Sequence, residues 1–247
     1  MHNFVGNYKS YMAAILVIET STEVCSIALT IDGTLTDMTE SKEGQNHARL
    51  ATVYAQELLT RNHIKPEELV AVAVSKGPGS YTGLRIGVST AKGICFARHI
   101  PLIAIGTLEA MTRHVMQNRK LYNIPDDKPT LFCPMIDARR MEVFSMLYNE
   151  DGSVAKPIEA VIVDETFLSD ELTEKQVVYF GNGAEKCNQV LTSPNALFVP
   201  KVEASAKYLC DLVWQLYNKN QFEDVAYFEP FYLKDFVATV SKKNIPG

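Results

Sequence analysis

The sequence predicts an α/β protein of two lobes, each a mixed β-sheet carrying helices on its faces. Three observations point there: the chain opens with three short strand-like segments joined by tight turns, strand and helix periodicities then alternate, and after a polar break the same order starts again. A chain of 247 residues is long enough for one large core or two lobes, and the restart favours two.

Ile15 to Thr20 is an apolar run, and Val24 to Thr30 follows the polar Ser21, Thr22 and Glu23 with β-branched residues, which predicts a hairpin. Asp32 and Gly33 supply a two-residue turn into a third antiparallel strand, Thr34 to Thr39. From Asn46 to Asn62, Leu50, Tyr54 and Leu58 recur at i, i+4 and i+8 opposite a polar stripe of Arg49, Thr52, Gln56 and Thr60, the pattern of an amphipathic helix. Leu69 to Val74 reads as a buried strand, Lys76 to Thr82 as a glycine-rich turn, Gly83 to Arg98 as a helix apolar on most sides, and Pro101 to Ile105 as another strand. The order β-β-β-α-β-α-β resembles the half-domain plan of the actin/Hsp70/sugar-kinase superfamily.

Asn118 to Pro129 is a polar linker with two prolines and two aspartates. Strands Thr130 to Asp137 and Glu142 to Tyr148 follow, joined at Ala138-Arg139-Arg140, with a third strand between Val154 and Val163. Val177 to Gly181 predicts a strand, Ala184 to Leu191 a helix, and Ala204 to Asn218 a longer helix with Leu209, Val213, Leu216 and Tyr217 on one face. The expected organisation is an extension over 1–12, a first lobe over 13–106 and a second over 107–247.

Composition narrows the function. With 47% hydrophobic and 21% charged residues the chain is of ordinary globular make-up. A net charge of −5 leaves little for binding a polynucleotide alone, which needs clustered Lys and Arg, so any nucleic-acid role is expected to be shared. The longest basic run, Lys242-Lys243, reads as a solvated tail. Cys25, Cys95, Cys133, Cys187 and Cys210 are odd in number and widely spaced, as buried thiols of a reducing compartment are. Met1 to Tyr11 has no basic-then-apolar signal pattern, and no apolar run is long enough to span a membrane, so a cytoplasmic protein is expected.

Few segments can carry chemistry. The glycine-rich stretch Gly77 to Gly83 lies between strand and helix, where free N–H groups and the helix dipole favour an anion. Gly77, Gly79, Ser80, Thr82 and Gly83 are therefore candidates for a phosphate cradle, yet neither the P-loop nor the dinucleotide spacing is present. The alternative is a turn that needs positive φ and close helix packing. Ser21 and Thr22 either hold a phosphate or satisfy the turn's own backbone. Asp137 and Arg139 either meet a ligand or order their own hairpin. Histidines are scattered without zinc-ligand spacing, and no nucleophile elbow exists.

Taken together, Ile18-Glu19-Thr20-Ser21-Thr22, His47-Ala48-Arg49-Leu50, Gly77 through Gly87, Ile136-Asp137-Ala138-Arg139 and Glu229-Pro230-Phe231-Tyr232-Leu233 resemble the TsaB (YeaZ) family, with Glu19 where relatives commonly carry Asp. The resemblance implies a two-lobed fold related to TsaD, which transfers threonylcarbamoyl to N6 of the adenosine beside the anticodon. It also implies that the two TsaD metal histidines correspond to Thr107 and Met111, poor ligands for such a metal. No catalytic residue and no metal ligand is then expected in this chain. The implied partners are TsaD, the ATPase TsaE through the complex, and a second copy of the chain, with tRNA met only indirectly. No cofactor is firmly implied beyond ATP or ADP at the interface with TsaD.

A subunit without chemistry acts through a surface, and the two first-lobe helices carry more apolar residues than one sheet contact buries. His47, Leu50, Ala51, Tyr54 and Leu58 on the first, with Gly83, Gly87, Val88, Ala91 and Ile94 on the second, are the expected partner contacts. The alternative is that the chain itself covers them. Two rival functions stay open: a stand-alone ATP-dependent transferase, kinase or M22-like peptidase, and a self-associating scaffold unrelated to tRNA.

Overall fold

A computed structural model describes residues 12–42 and 46–234; the expectations for 1–11 and for Lys242-Lys243 lie outside the described residues. The first sheet contains β1 (Ala14–Glu19), β2 (Cys25–Ile31), β3 (Thr34–Ser41), β4 (Leu69–Gly77) and β5 (Leu102–Gly106), in the order β3-β2-β1-β4-β5. The second contains β6 (Thr130–Asp137), β7 (Glu142–Tyr148), β8 (Val154–Ile162), β9 (Gln176–Phe180) and β10 (Ala196–Val199). Its order, β8-β7-β6-β9-β10, is that of the first sheet, and both sheets pair their first three strands antiparallel and the other two parallel. The duplication expected from element order is therefore a duplication of topology.

Helices α1 (His47–Arg61) and α2 (Tyr81–Arg98) cover one face of the first sheet, packing Leu50, Ala51, Leu58, Val88 and Ala91 onto Leu16, Ile18 and Val74. Burial of this apolar face is the dominant stabilising term at about 25 cal/mol per Å². Helix α3 (Thr107–Gln117) starts directly after β5 and lies between the sheets. It gives Ala110 to the first lobe's inner cluster and Leu108, Met111 and Val115 to the second's.

Two expected helices differ. Over Ala184 to Leu191 the chain forms only a 3₁₀ turn, Glu185–Cys187. Ala184, Cys187 and Leu191 are its anchors in the second lobe's outer cluster, and a segment this short does not repay helix nucleation. The helix expected from Ala204 begins at Cys210, as α5 (Cys210–Asn218) after the one-turn α4 (Glu171–Glu174). Its expected first turn is tied elsewhere: Ala206 N–H donates to Ser26 Oγ at 3.0 Å, and Ser205 Oγ donates to Glu40 Oε2 at 2.9 Å. Helix α5 and the Leu209 that precedes it return to the first sheet, setting Leu209, Leu212 and Val213 against Ile15, Val17 and Ile103.

Candidate functional site

The motifs converge at the ends of β1 and β4. Ser80 N–H donates to Ser21 O at 2.6 Å, Ser80 Oγ accepts the Gly83 N–H at 3.3 Å as the α2 cap, and Thr20 Oγ1 donates to Gly83 O at 2.8 Å. A Cβ on Gly79 would lie 2.2 Å from Ser21 O, and one on Gly83 2.1 Å from Thr20 O. Gly77 has φ +110° and precedes a cis proline, Pro78. The glycines are thus accounted for by a left-handed turn and by contact with the β1–β2 turn. Ser80 and Thr82 are exposed, but the N–H groups of Ser80 and Gly83 that a phosphate would use are engaged by the chain itself.

Glu19 lies beneath this loop, fully buried. Its Oε1 accepts the Ser21 N–H at 2.6 Å and the Ser75 hydroxyl at 3.0 Å, while Oε2 has no partner among the described residues. Burial pushes the carboxyl above its ordinary value, opposed by the Ser21 and Ser75 hydrogen bonds. Thr107 Oγ1 donates to Ser75 Oγ at 3.3 Å, and Met111 is in the packed core, so neither side chain is presented to a metal. Among the described residues no three of His, Cys, Asp and Glu gather as a metal site.

A strap crosses this corner from the far end of the chain. Lys92 Nζ donates to Ala226 O and Phe228 O at 3.1 and 2.9 Å, Phe231 N–H donates to Lys76 O at 2.7 Å, and the Tyr232 ring lies 4.8 Å from that of Tyr81. Arg85 reaches back over the Tyr81 ring and donates to its hydroxyl at 3.1 Å. Two segments about 150 residues apart, each singled out in the sequence, therefore meet; nothing in either one foretold the contact.

The expected partner contacts need correction. His47, Leu50, Ala51, Leu58, Gly83, Gly87, Val88 and Ala91 are all buried in this chain's own first lobe, and only Tyr54 and Ile94 keep partial exposure. His47 Nε2 is 2.9 Å from Thr22 O and so carries the ring proton that ties α1 to the β1–β2 turn. Gly83 and Gly87 form a close-approach row, but it faces Thr20 rather than solvent. The outward small-residue row is Ser89, Gly93 and Ala97, one face further round α2. Between this row and Thr52, Gln56 and Thr60 of α1 runs an open groove of about 600 Å³, floored by Leu16, Leu59, Ile64 and Leu69.

On the second lobe, Asp137 closes its own hairpin: Oδ1 accepts the Arg139 N–H at 3.0 Å and pairs with Lys186. Lys234 at the strap's end pairs with Glu142 at 2.5 Å. All five cysteines are free and buried, and among the described residues no helix is long and apolar enough to cross a membrane.

The family model described as TsaD, tRNA N6-adenosine threonylcarbamoyltransferase, matches residues 37–242. The tRNA threonylcarbamoyladenosine biosynthesis protein TsaB of Escherichia coli strain K12 is 27% identical over 246 residues, covering 94% of this chain and 98% of that protein. TsaB of Bacillus subtilis strain 168 is 30% identical over 183 residues, 72% of this chain and 74% of its own. In structure, YeaZ from Pseudomonas aeruginosa aligns with a TM-score of 0.74 and 22% identity over 90% of this chain and all of that one, which is a likeness of fold.

Proposed function

The chain belongs to the TsaD family as one of its TsaB members, proteins of tRNA threonylcarbamoyladenosine biosynthesis, and from that premise we propose that it is the subunit that performs no chemistry and grips the catalytic TsaD. One observation carries this reading: the face of α1 and α2 left open after folding is an apolar-floored groove flanked by a glycine-centred row, the kind of surface on which a partner helix can lie close. A second copy of the chain competes for the same groove when TsaD is absent.

The donor set supports the absence of chemistry. Thr107 is bonded to Ser75 and Met111 is packed in the core, so the positions that correspond to the TsaD metal ligands do not fit a metal here. Because Ser80 and Gly83 spend their N–H groups on their own turn, this reading places ATP or ADP at the shared interface, with donors the partner completes. TsaE joins through that complex, and tRNA is met by the assembled complex, with this chain supplying at most a share of the contact. A cytoplasmic setting keeps the five buried thiols reduced.

Gly93→Arg with Ile94→Asp tests the reading, because Gly93 faces open space and both changes fall at the groove's edge. The expected result is a folded monomer that no longer co-purifies with TsaD and no longer supports threonylcarbamoyladenosine formation in the reconstituted system. Undiminished pairing would refute it.

A further inference from the structure

We propose that the Arg139-Arg140 tip of the β6–β7 hairpin binds the phosphate groups of an RNA strand. Both residues are held in the left-handed region, at φ 75° and 49°. An L side chain is disfavoured there, and turns of this hand ordinarily use Gly, Asn or Asp. The chain itself does so at the β2–β3 hairpin, where Asp32 and Gly33 sit at φ 50° and 81°. Two arginines in the same backbone state cost stability, and such strain is kept where a side chain is needed in that place.

Charge accounting around the tip leaves both arginines in surplus. The neighbouring acids are neutralised by lysines, Asp137 by Lys186 and Glu142 by Lys234. Arg139 and Arg140 are exposed, and among the described residues neither guanidinium makes a salt bridge. The hairpin beneath them is fixed by Ala138 N–H to Glu142 O at 3.1 Å, Glu142 N–H to Arg139 O at 3.0 Å and Lys186 Nζ to Glu142 O at 2.6 Å. Two planar forks carried on adjacent residues of a fixed turn can reach successive phosphates of a strand, each able to engage oxygens bidentately. Both side chains are exposed at the tip of a hairpin, which suits a strand passing over the surface better than an enclosed free phosphate. The choice of RNA rests on the proposed function, and with a chain charge of −5 the contact is one local share of a surface the complex completes.

The experiment compares the full chain with Arg139→Asn/Arg140→Gly, following fluorescence anisotropy of a labelled anticodon stem-loop RNA against salt, together with thermal melting. The variant is expected to bind roughly tenfold more weakly at low salt, to lower the salt slope by about 1.4 for two single-strand phosphate contacts, and to melt higher because the turn is relieved. Unchanged affinity and slope, no RNA binding by the unaltered chain at low salt, or a lower melting temperature would each overturn the proposal. Displacement of the RNA by an equal concentration of inorganic phosphate would overturn it too. Co-purification with TsaD is read separately: if it survives while RNA binding is unaffected by the change, this inference alone falls.

Discussion

The Thr20 hydroxyl donates to the Gly83 carbonyl at 2.8 Å, while a Cβ on Gly83 would stand 2.1 Å from the Thr20 carbonyl oxygen. The two backbones are in direct contact, and this contact sets the distance between the β1–β2 turn and the first turn of α2.

Gly83→Ala is therefore expected to destabilise the chain by about 1–3 kcal/mol, because backbone must move and the helix-propensity gain of alanine does not offset it. Gly93→Ala on the same helix meets no atom within 4 Å and should stabilise by up to about 1 kcal/mol. Urea midpoints of the two variants, with equal m-values, check the opposite signs. A neutral Gly83→Ala would mean that the turn yields easily.

Those two glycines also show what was legible in the sequence. The order of elements along the chain, the Asp32-Gly33 turn and the strands Thr130–Asp137 and Glu142–Tyr148 follow from periodicity and turn chemistry, since each is a local property of a few residues. The sequence sets Gly83, Gly87 and Ala91 among the partner contacts, but α2 is apolar on most sides, so periodicity leaves its phase open. Gly83 and Gly87 turned out to approach the chain's own Thr20, and the outward row is Ser89, Gly93 and Ala97. The α5 start at Cys210 and the meeting of Tyr232 with Tyr81 depend on partners far along the chain, which no window of sequence contains.

Stability should depend on pH through two limbs of opposite sign. Burial, with the Lys207 charge adding to it, lowers His114 from 6.5 to about 4 in the folded chain. The unfolded chain takes up that proton first, so stability is full above pH 6.5 and is lost as pH falls toward about 4. Glu19 acts in the opposite sense: burial raises it from 4.5, so its contribution is full below that pH and is lost as pH rises through the raised value. His114→Phe, which keeps the ring stacked 3.8 Å from Tyr208, should flatten the acid limb, and Glu19→Gln the alkaline one. Melting temperatures across about pH 4.5 to about pH 8 read both limbs. A limb that survives its variant belongs to another group.

The strap over α2 should open locally when Lys92 loses its charge. Val225 and Phe228 pack partly onto the first lobe's core, but the backbone between them is held by Lys92 Nζ at two carbonyls, Ala226 O and Phe228 O. Tyr227 between those carbonyls is 84% exposed, so it offers a cleavage site as soon as the backbone lifts. In Lys92→Met the alkyl stem remains and both hydrogen bonds go; at about 0.5–1.5 kcal/mol each, local opening should rise about tenfold. Chymotrypsin is then expected to cut after Tyr227 about tenfold faster while the global melting temperature barely moves, because cleavage follows the open population when reclosing is fast. If the cut is no faster, the packing of Val225 and Phe228 holds the strap without the lysine. If melting falls in step with cleavage, the strap is part of the cooperative core, since only a locally attached segment can loosen without the sheet beneath it.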